Sequence, residues 1–132
     1  MLKEIFIVCI VILLVLICNF ALQNYITKSS ESLVEKLGTL SEKMTSDIEN
    51  IKENNDINNL INNIENEWEK SKKKWEIFVI HNEIDQIEIS FTNLKTAIKT
   101  NNKQDASIET EKAKFLLQHE AERDSFMLKN LF

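Results

Sequence analysis

Ile5 to Leu22 is an 18-residue run in which Asn19 is the one strongly polar side chain. As a helix this run measures roughly 27 Å, close to the ~30 Å hydrocarbon core of a bilayer. Tyr25 and Lys28 follow it, an interfacial aromatic and a cation able to snorkel. The run therefore reads as an uncleaved, single-pass membrane anchor over residues 1–26, with lipid against residues 5–22. Residues 27–132 are left as a separate helical domain. Two other fates fit the same run. A cleaved signal peptide has only Ala21 as a small residue at Asn19-Phe20-Ala21. A lipoprotein acylated at Cys18 has bulky Ile17 before it, where a small residue is wanted. Lys3 on the short N-terminal side is balanced by Glu4, while Lys28 and Lys36 lie beyond the run, so the positive-inside count leans the other way. The short head before a long apolar run still has the form of a signal anchor, which places the C-terminal domain outside the cytoplasm.

Beyond the run, the 132-residue chain has no Pro and a single Gly, Gly38. That argues against a β-rich fold with many turns and leaves no glycine-rich phosphate loop or hydrolase elbow. The length allows one small domain. The net charge of −5 argues against nucleic acid as a partner. The abundance of Ile, Asn and Lys reads as codon bias. Both cysteines, Cys9 and Cys18, lie in the apolar run. Nine helical residues set them roughly 13 Å apart on opposite faces, too far to bridge, so they read as small lipid-facing side chains. The remainder has no cysteine for a disulfide, a nucleophile or a zinc-thiolate site.

The spacing of apolar residues predicts helices throughout. Leu33, Leu37, Leu40, Met44, Ile48 and Ile51 form one stripe on a helix able to continue straight out of the membrane. Glu53-Asn54-Asn55-Asp56 marks a turn that caps a second helix. That helix carries Ile57, Leu60, Ile61, Ile64, Trp68, Trp75 and Phe78 on one face and an Asn-rich stretch opposite. A third stripe is Ile84, Ile87, Phe91, Leu94 and Ile98, a heptad pattern whose start could be capped by Asn82 with Asp85. Asn102 with Asp105 caps a last helix, Lys103 to Gln118, expected to bury Ile108, Phe115 and Leu116. The tail from Ser125 carries Phe126, Leu128, Leu131 and Phe132 and is expected to dock. The fold class is thus all-α: an N-terminal transmembrane helix followed by an antiparallel bundle of three to four helices. About 105 residues suffice for one such core.

Few residues point to chemistry. His81 and Asp85 are four apart, one helical turn, with Glu83 between them. His119-Glu120 holds the other histidine. In an antiparallel bundle the two histidines can meet at one end, making His81, Glu83, Asp85 and His119 candidate ligands for a divalent metal. The spacing matches no established ligand motif, and a capping and hydrogen-bonding cluster is the simpler reading. Trp68 and Trp75, seven apart, are either core or an aromatic platform. Lys70, Lys72, Lys73 and Lys74 form either a solvated face, helped by Glu69 at i,i+4 to Lys73, or a patch for an anionic headgroup or wall polymer.

Several of these residues carry a resemblance. Glu67-Trp68, Lys73-Lys74-Trp75, His81-x-Glu83-Ile84-Asp85-x-Ile87, Phe115-Leu116-Leu117-x-His119 and Lys129-Asn130-Leu131-Phe132 together resemble the family catalogued as domain of unknown function 4363. The resemblance covers essentially the whole chain, anchor included. Its members typically follow the second histidine with an Ile-Pro step, where this chain has Glu120-Ala121, so a different turn is expected there. The resemblance implies a short, membrane-anchored helical protein of the bacterial cell envelope and carries over no catalytic residue. With no catalytic motif, the expected function is a non-enzymatic accessory or interaction module. It would have a protein partner in the membrane or associate with itself, and no cofactor. The alternative is a metal- or ligand-binding sensor using the His/carboxylate cluster.

Overall fold

The computed structural model describes residues 1–46 and 49–131, and the side chains of residues 1–46 and 49–123. Among them are four helices and no strand: α1 (Leu2–Thr45), α2 (Asn55–Phe78), α3 (His81–Lys99) and α4 (Lys103–Leu131). The all-α class holds, with one refinement. The apolar run and the first bundle helix are a single element of 44 residues, about 66 Å long, which crosses residues 26 and 27 without a break. Its first part stands clear of the bundle: Ile5, Phe6, Val11, Ile12, Leu14 and Phe20 are all exposed. Burial begins at Gln23 and continues through Ile26, Ser30, Leu33, Leu37, Leu40 and Met44. These spacings of three and four are one stripe of a heptad.

The helices run up, down, up and down. Lys43 pairs with Asp56 at one end of α1 and α2 (3.9 Å), and the Trp75 indole N–H donates to the Ser29 hydroxyl at the other (2.8 Å). α4 packs most extensively, against both α1 and α3, and closes the bundle, whereas the α2–α3 seam is the loosest of the four. Two ion pairs stitch that seam, Lys72 with Glu88 and Lys95 with Glu65. Each is partly exposed and contributes at most about 1 kcal/mol. Lys36 and Glu67 tie α1 to α2. Burial pushes the Glu67 carboxyl up, but the hydrogen bond and charge of Lys36, with help from Ser32, leave it below the usual range.

Where α4 meets its neighbours the buried side chains are small: Ala106, Thr110, Ala113 and Ala121, with Leu117 between them. Small residues let the helix axes approach, and two buried serines use the closeness. Ser30 on α1 donates to the Leu117 carbonyl (3.0 Å) and Ser90 on α3 donates to the Glu109 carbonyl (3.1 Å). The expected burial on α4 is therefore corrected. Ile108 and Phe115 are 55% and 62% exposed and Leu116 is only partly buried, because the alanine stripe takes the inward face. The helix also runs past Gln118, straight through Glu120-Ala121, to Leu131. Without proline nothing there removes a backbone donor. The docking expected of Phe126, Leu128, Leu131 and Phe132 lies outside the described side chains.

Three connections differ in chemistry. α1 ends at Thr45, short of the Ile51 to which the apolar stripe extends. The Thr45 and Ser46 hydroxyls turn back onto the carbonyls of Glu42 (3.0 Å) and Lys43 (2.7 Å), a local alternative to helix that Ser and Thr offer. Ile51 is buried but outside any helix, and Ile48 lies outside the described residues. Asn54 caps α2 as expected, its side chain accepting from the Ile57 N–H (3.0 Å). α3 starts at His81, not at an Asn82 cap. Val79 and Ile80 are extended, Val79 is buried, and the Ile80 carbonyl accepts from Glu83 (2.9 Å) and Ile84 (3.2 Å). At the end of α3, Asn101 takes a left-handed conformation with φ 54°, and the Asn102 N–H reaches back to the Ala97 carbonyl (2.8 Å). Asn is the residue after Gly best suited to that position. Its side-chain oxygen also accepts from the Ile51 N–H (2.9 Å), pinning the two far corners together. Asn102 caps α4 as expected, its side-chain oxygen accepting from the Asp105 N–H (3.1 Å) while its side-chain amide donates to the Asp105 carboxylate (2.6 Å).

Candidate functional site

The four candidate metal ligands do not converge. His81 and Asp85 lie one turn apart and both are exposed. Glu83, two residues from each, is turned about 160° away by the 100° step of the helix and faces α4. His119 is exposed on α4 and stacks on Phe115 within its own helix, ring centroids 5.5 Å apart and planes 13° off parallel. Among the described residues no three His, Cys, Asp or Glu side chains are arranged to hold a metal ion.

What Glu83 meets is a charged cluster that the sequence does not lead one to expect. Arg123, on α4, lies 3.8 Å from the Glu83 carboxylate and 3.1 Å from that of Glu120. Glu120 is 1% exposed. Next to Glu120 in sequence, the Ala121 carbonyl accepts from the buried Gln23 amide N–H of α1 at 3.4 Å, while the Gln23 Oε1 finds no hydrogen bond. The Arg123 Nε is likewise buried without a partner. Burial is the main force pushing the Glu120 carboxyl above its ordinary range. Arg123 opposes this, the nearby Glu83 carboxylate reinforces it, and His119 opposes weakly. One guanidinium thus faces two carboxylates, one of them almost fully enclosed. The cluster holds no nucleophile and no ready-made ligand set.

Histidine is the more conspicuous ligand type, and it leads the sequence-based candidates away from this cluster. A signal is nonetheless present: Glu120 and Ala121 continue the register Ala106, Thr110, Ala113, Leu117, and Gln23 opens the register Ile26, Ser30, Leu33. Polar residues inside a buried stripe mark buried polar chemistry.

The tryptophans belong to the core. Trp68 and Trp75 meet edge to face at 5.4 Å, with Phe91 5.9 Å from Trp68. The lysine run divides its tasks. Lys72 pairs with Glu88, whose hydrogen bond raises the ammonium's pKa. Lys74 sits 3.9 Å above the Tyr25 ring, and Lys70 and Lys73 are exposed.

An apolar helix of membrane-spanning length that feeds directly into an up-down-up-down four-helix bundle defines the class of this protein. The chain belongs to the family described as Domain of unknown function (DUF4363), whose model matches residues 20–131. The match thus covers the bundle and begins only at the end of the apolar run, a narrower extent than the resemblance implied. No curated protein and no solved structure matches the chain.

Proposed function

We propose that this protein is a single-pass, membrane-anchored bundle of the bacterial envelope. It is a non-enzymatic accessory module that presents its outer face to a protein partner or to a second copy. The observation that carries this is α1. Its apolar window has a mean hydropathy of 3.3 and is 0% buried, unlike the core helix of a soluble protein. Residues Gln23 onward in the same helix are built into the core. A rigid connection of that kind fixes the bundle to whatever holds the first turns. Ile108 and Phe115, seven apart and exposed on α4, and Ile89, 47% exposed on α3, offer apolar area for a partner. The short head before the long apolar run, the form of a signal anchor, supports an orientation with the domain outside the cytoplasm.

The test is labelling of intact cells with a membrane-impermeant maleimide. Lys99→Cys, at the far end of the bundle, is placed in a background lacking Cys9 and Cys18. Labelling before lysis, on protein found in the membrane fraction, is expected. Labelling only after lysis would reverse the sidedness, and recovery in the soluble fraction would remove the anchor. Photocrosslinkers at Ile108 and Phe115 are expected to give one recurrent adduct, and their failure to crosslink to anything would remove the interaction role.

A further inference from the structure

The three corners of the bundle are not alike. At the far end the α1–α2 connection carries Ser46, Glu49, Asn50, Lys52, Glu53 and Asn54, and the α3–α4 connection is Thr100-Asn101-Asn102. These are the polar residues that solvated turns favour. The α2–α3 corner, at the end where α1 leaves the bundle, reads Ile77-Phe78-Val79-Ile80. Val79 is buried, but Ile77 and Ile80 are 64% and 63% exposed. Among the described residues, exposed apolar side chains stand out at a turn only at this end, where an apolar surrounding would cover them.

The register of α1 and α2 gives the depth of this corner. The Trp75 indole bonds to Ser29 at 2.8 Å and the Lys74 ammonium lies 3.9 Å above the Tyr25 ring. The helices are antiparallel, so the residues after Trp75 descend beside those before Ser29. Ile77 to Ile80 thereby come level with about the Leu22–Tyr25 turn of α1, where the apolar run ends. Lys70, Lys73, Lys74 and Ile77 share one face of α2 at i, i+3, i+4 and i+7. Lys73 and Lys74 are exposed just above the isoleucines, and Lys28 is exposed on α1. Glu76, also exposed, flanks them and offsets part of this charge. The contact is therefore led by the isoleucines, with the lysines reaching phosphate oxygens.

We propose that the Ile77–Ile80 corner is a second lipid contact: Ile77 and Ile80 insert at the phospholipid surface and Lys73 and Lys74 engage the headgroups. The bundle is then held at two points, α1 and this corner, and cannot swivel about the anchor. This rests on the anchor reading proposed above.

The experiment uses the full chain, with Cys9→Ser and Cys18→Ser, reconstituted in vesicles of phosphatidylglycerol and phosphatidylcholine. A fluorophore is attached singly at Ile80→Cys, at Leu22→Cys or at Lys99→Cys. The vesicles carry a nitroxide lipid whose spin label lies just below the glycerol. The expected result is loss of fluorescence at position 80 comparable with that at position 22, and none at position 99. Quenching at 22 but not at 80 would overturn the corner while leaving the anchor intact. An emission shift at 80 without quenching would assign the corner to a second copy of this chain, which also overturns it. Absence of quenching at 22 would remove the anchor, and the corner with it.

Discussion

Glu120 is a carboxyl enclosed almost completely, with one guanidinium to share with Glu83. Its folded-state pKa is raised, with burial as the first cause. The folded chain then binds more protons than the unfolded one between the ordinary carboxyl range and the raised value. Stability in that window falls as pH rises and is restored on acidification. Glu67 has the opposite sign and a lower window: its contribution is present above the ordinary range and fades as pH falls through the depressed value. Glu120→Gln keeps the shape and removes the proton. Its melting temperature in detergent should stay flat across the upper window, where the parent chain should lose stability with rising pH. Equal slopes for the two would show that Glu120 is not the group that titrates. The histidines lead to a different expectation. Because His81, Asp85 and His119 do not converge, titrating zinc or manganese should leave the melting temperature unchanged. A saturable rise abolished by His81→Ala would restore the metal-sensor reading.

Helix α4 shows most clearly what the sequence discloses and what it hides. Stripes of Leu and Ile announce α1, α2 and α3, since large apolar side chains at i, i+3 and i+4 mark the buried face of a helix. The caps at Asn54 and Asn102 are equally plain. In α4 the inward face is written in Ala106, Ala113 and Ala121, and alanine sits as readily outside as inside. Large Ile108 and Phe115 point the expectation to the wrong face. The His/carboxylate cluster fails for a different reason: the two-residue spacing of Glu83 from His81 and Asp85 puts it on the opposite face of the helix, and the faces that His81 and His119 take in the bundle do not meet. Two substitutions test the element-level account. Ala113→Leu should cost about 1–3 kcal/mol, because α4 has no room to take a larger side chain without moving from α1 and α3. A neutral result in chemical denaturation would mean that α4 is not closely seated. Gly38 lies within α1, and a Cβ there would meet nothing within 4 Å. Gly38→Ala should therefore stabilise by about 0.5–1 kcal/mol through helix propensity alone, and destabilisation would reveal a contact at that face.

At the scale of the whole molecule, the arrangement is one of unequal ends. The far end is closed by polar turns that are tied together, with the Asn101 side chain accepting from the Ile51 N–H (2.9 Å) and the Lys103 ammonium donating to the Ser46 carbonyl (3.2 Å). The near end gathers the apolar corner, the buried Glu120 cluster and the exit of α1. A helix 44 residues long with no proline transmits orientation, so a partner bound to the outer face of α3 and α4 would meet a bundle at a fixed height and angle. All of this depends on the first turns of α1 remaining attached. The most direct test is to extract membranes at alkaline pH and weigh the retained protein by intact mass spectrometry. The account predicts the full 132-residue chain in the pellet, with Ile5–Leu22 still in place. A shorter product that begins after Leu22 and leaves with the supernatant would contradict it.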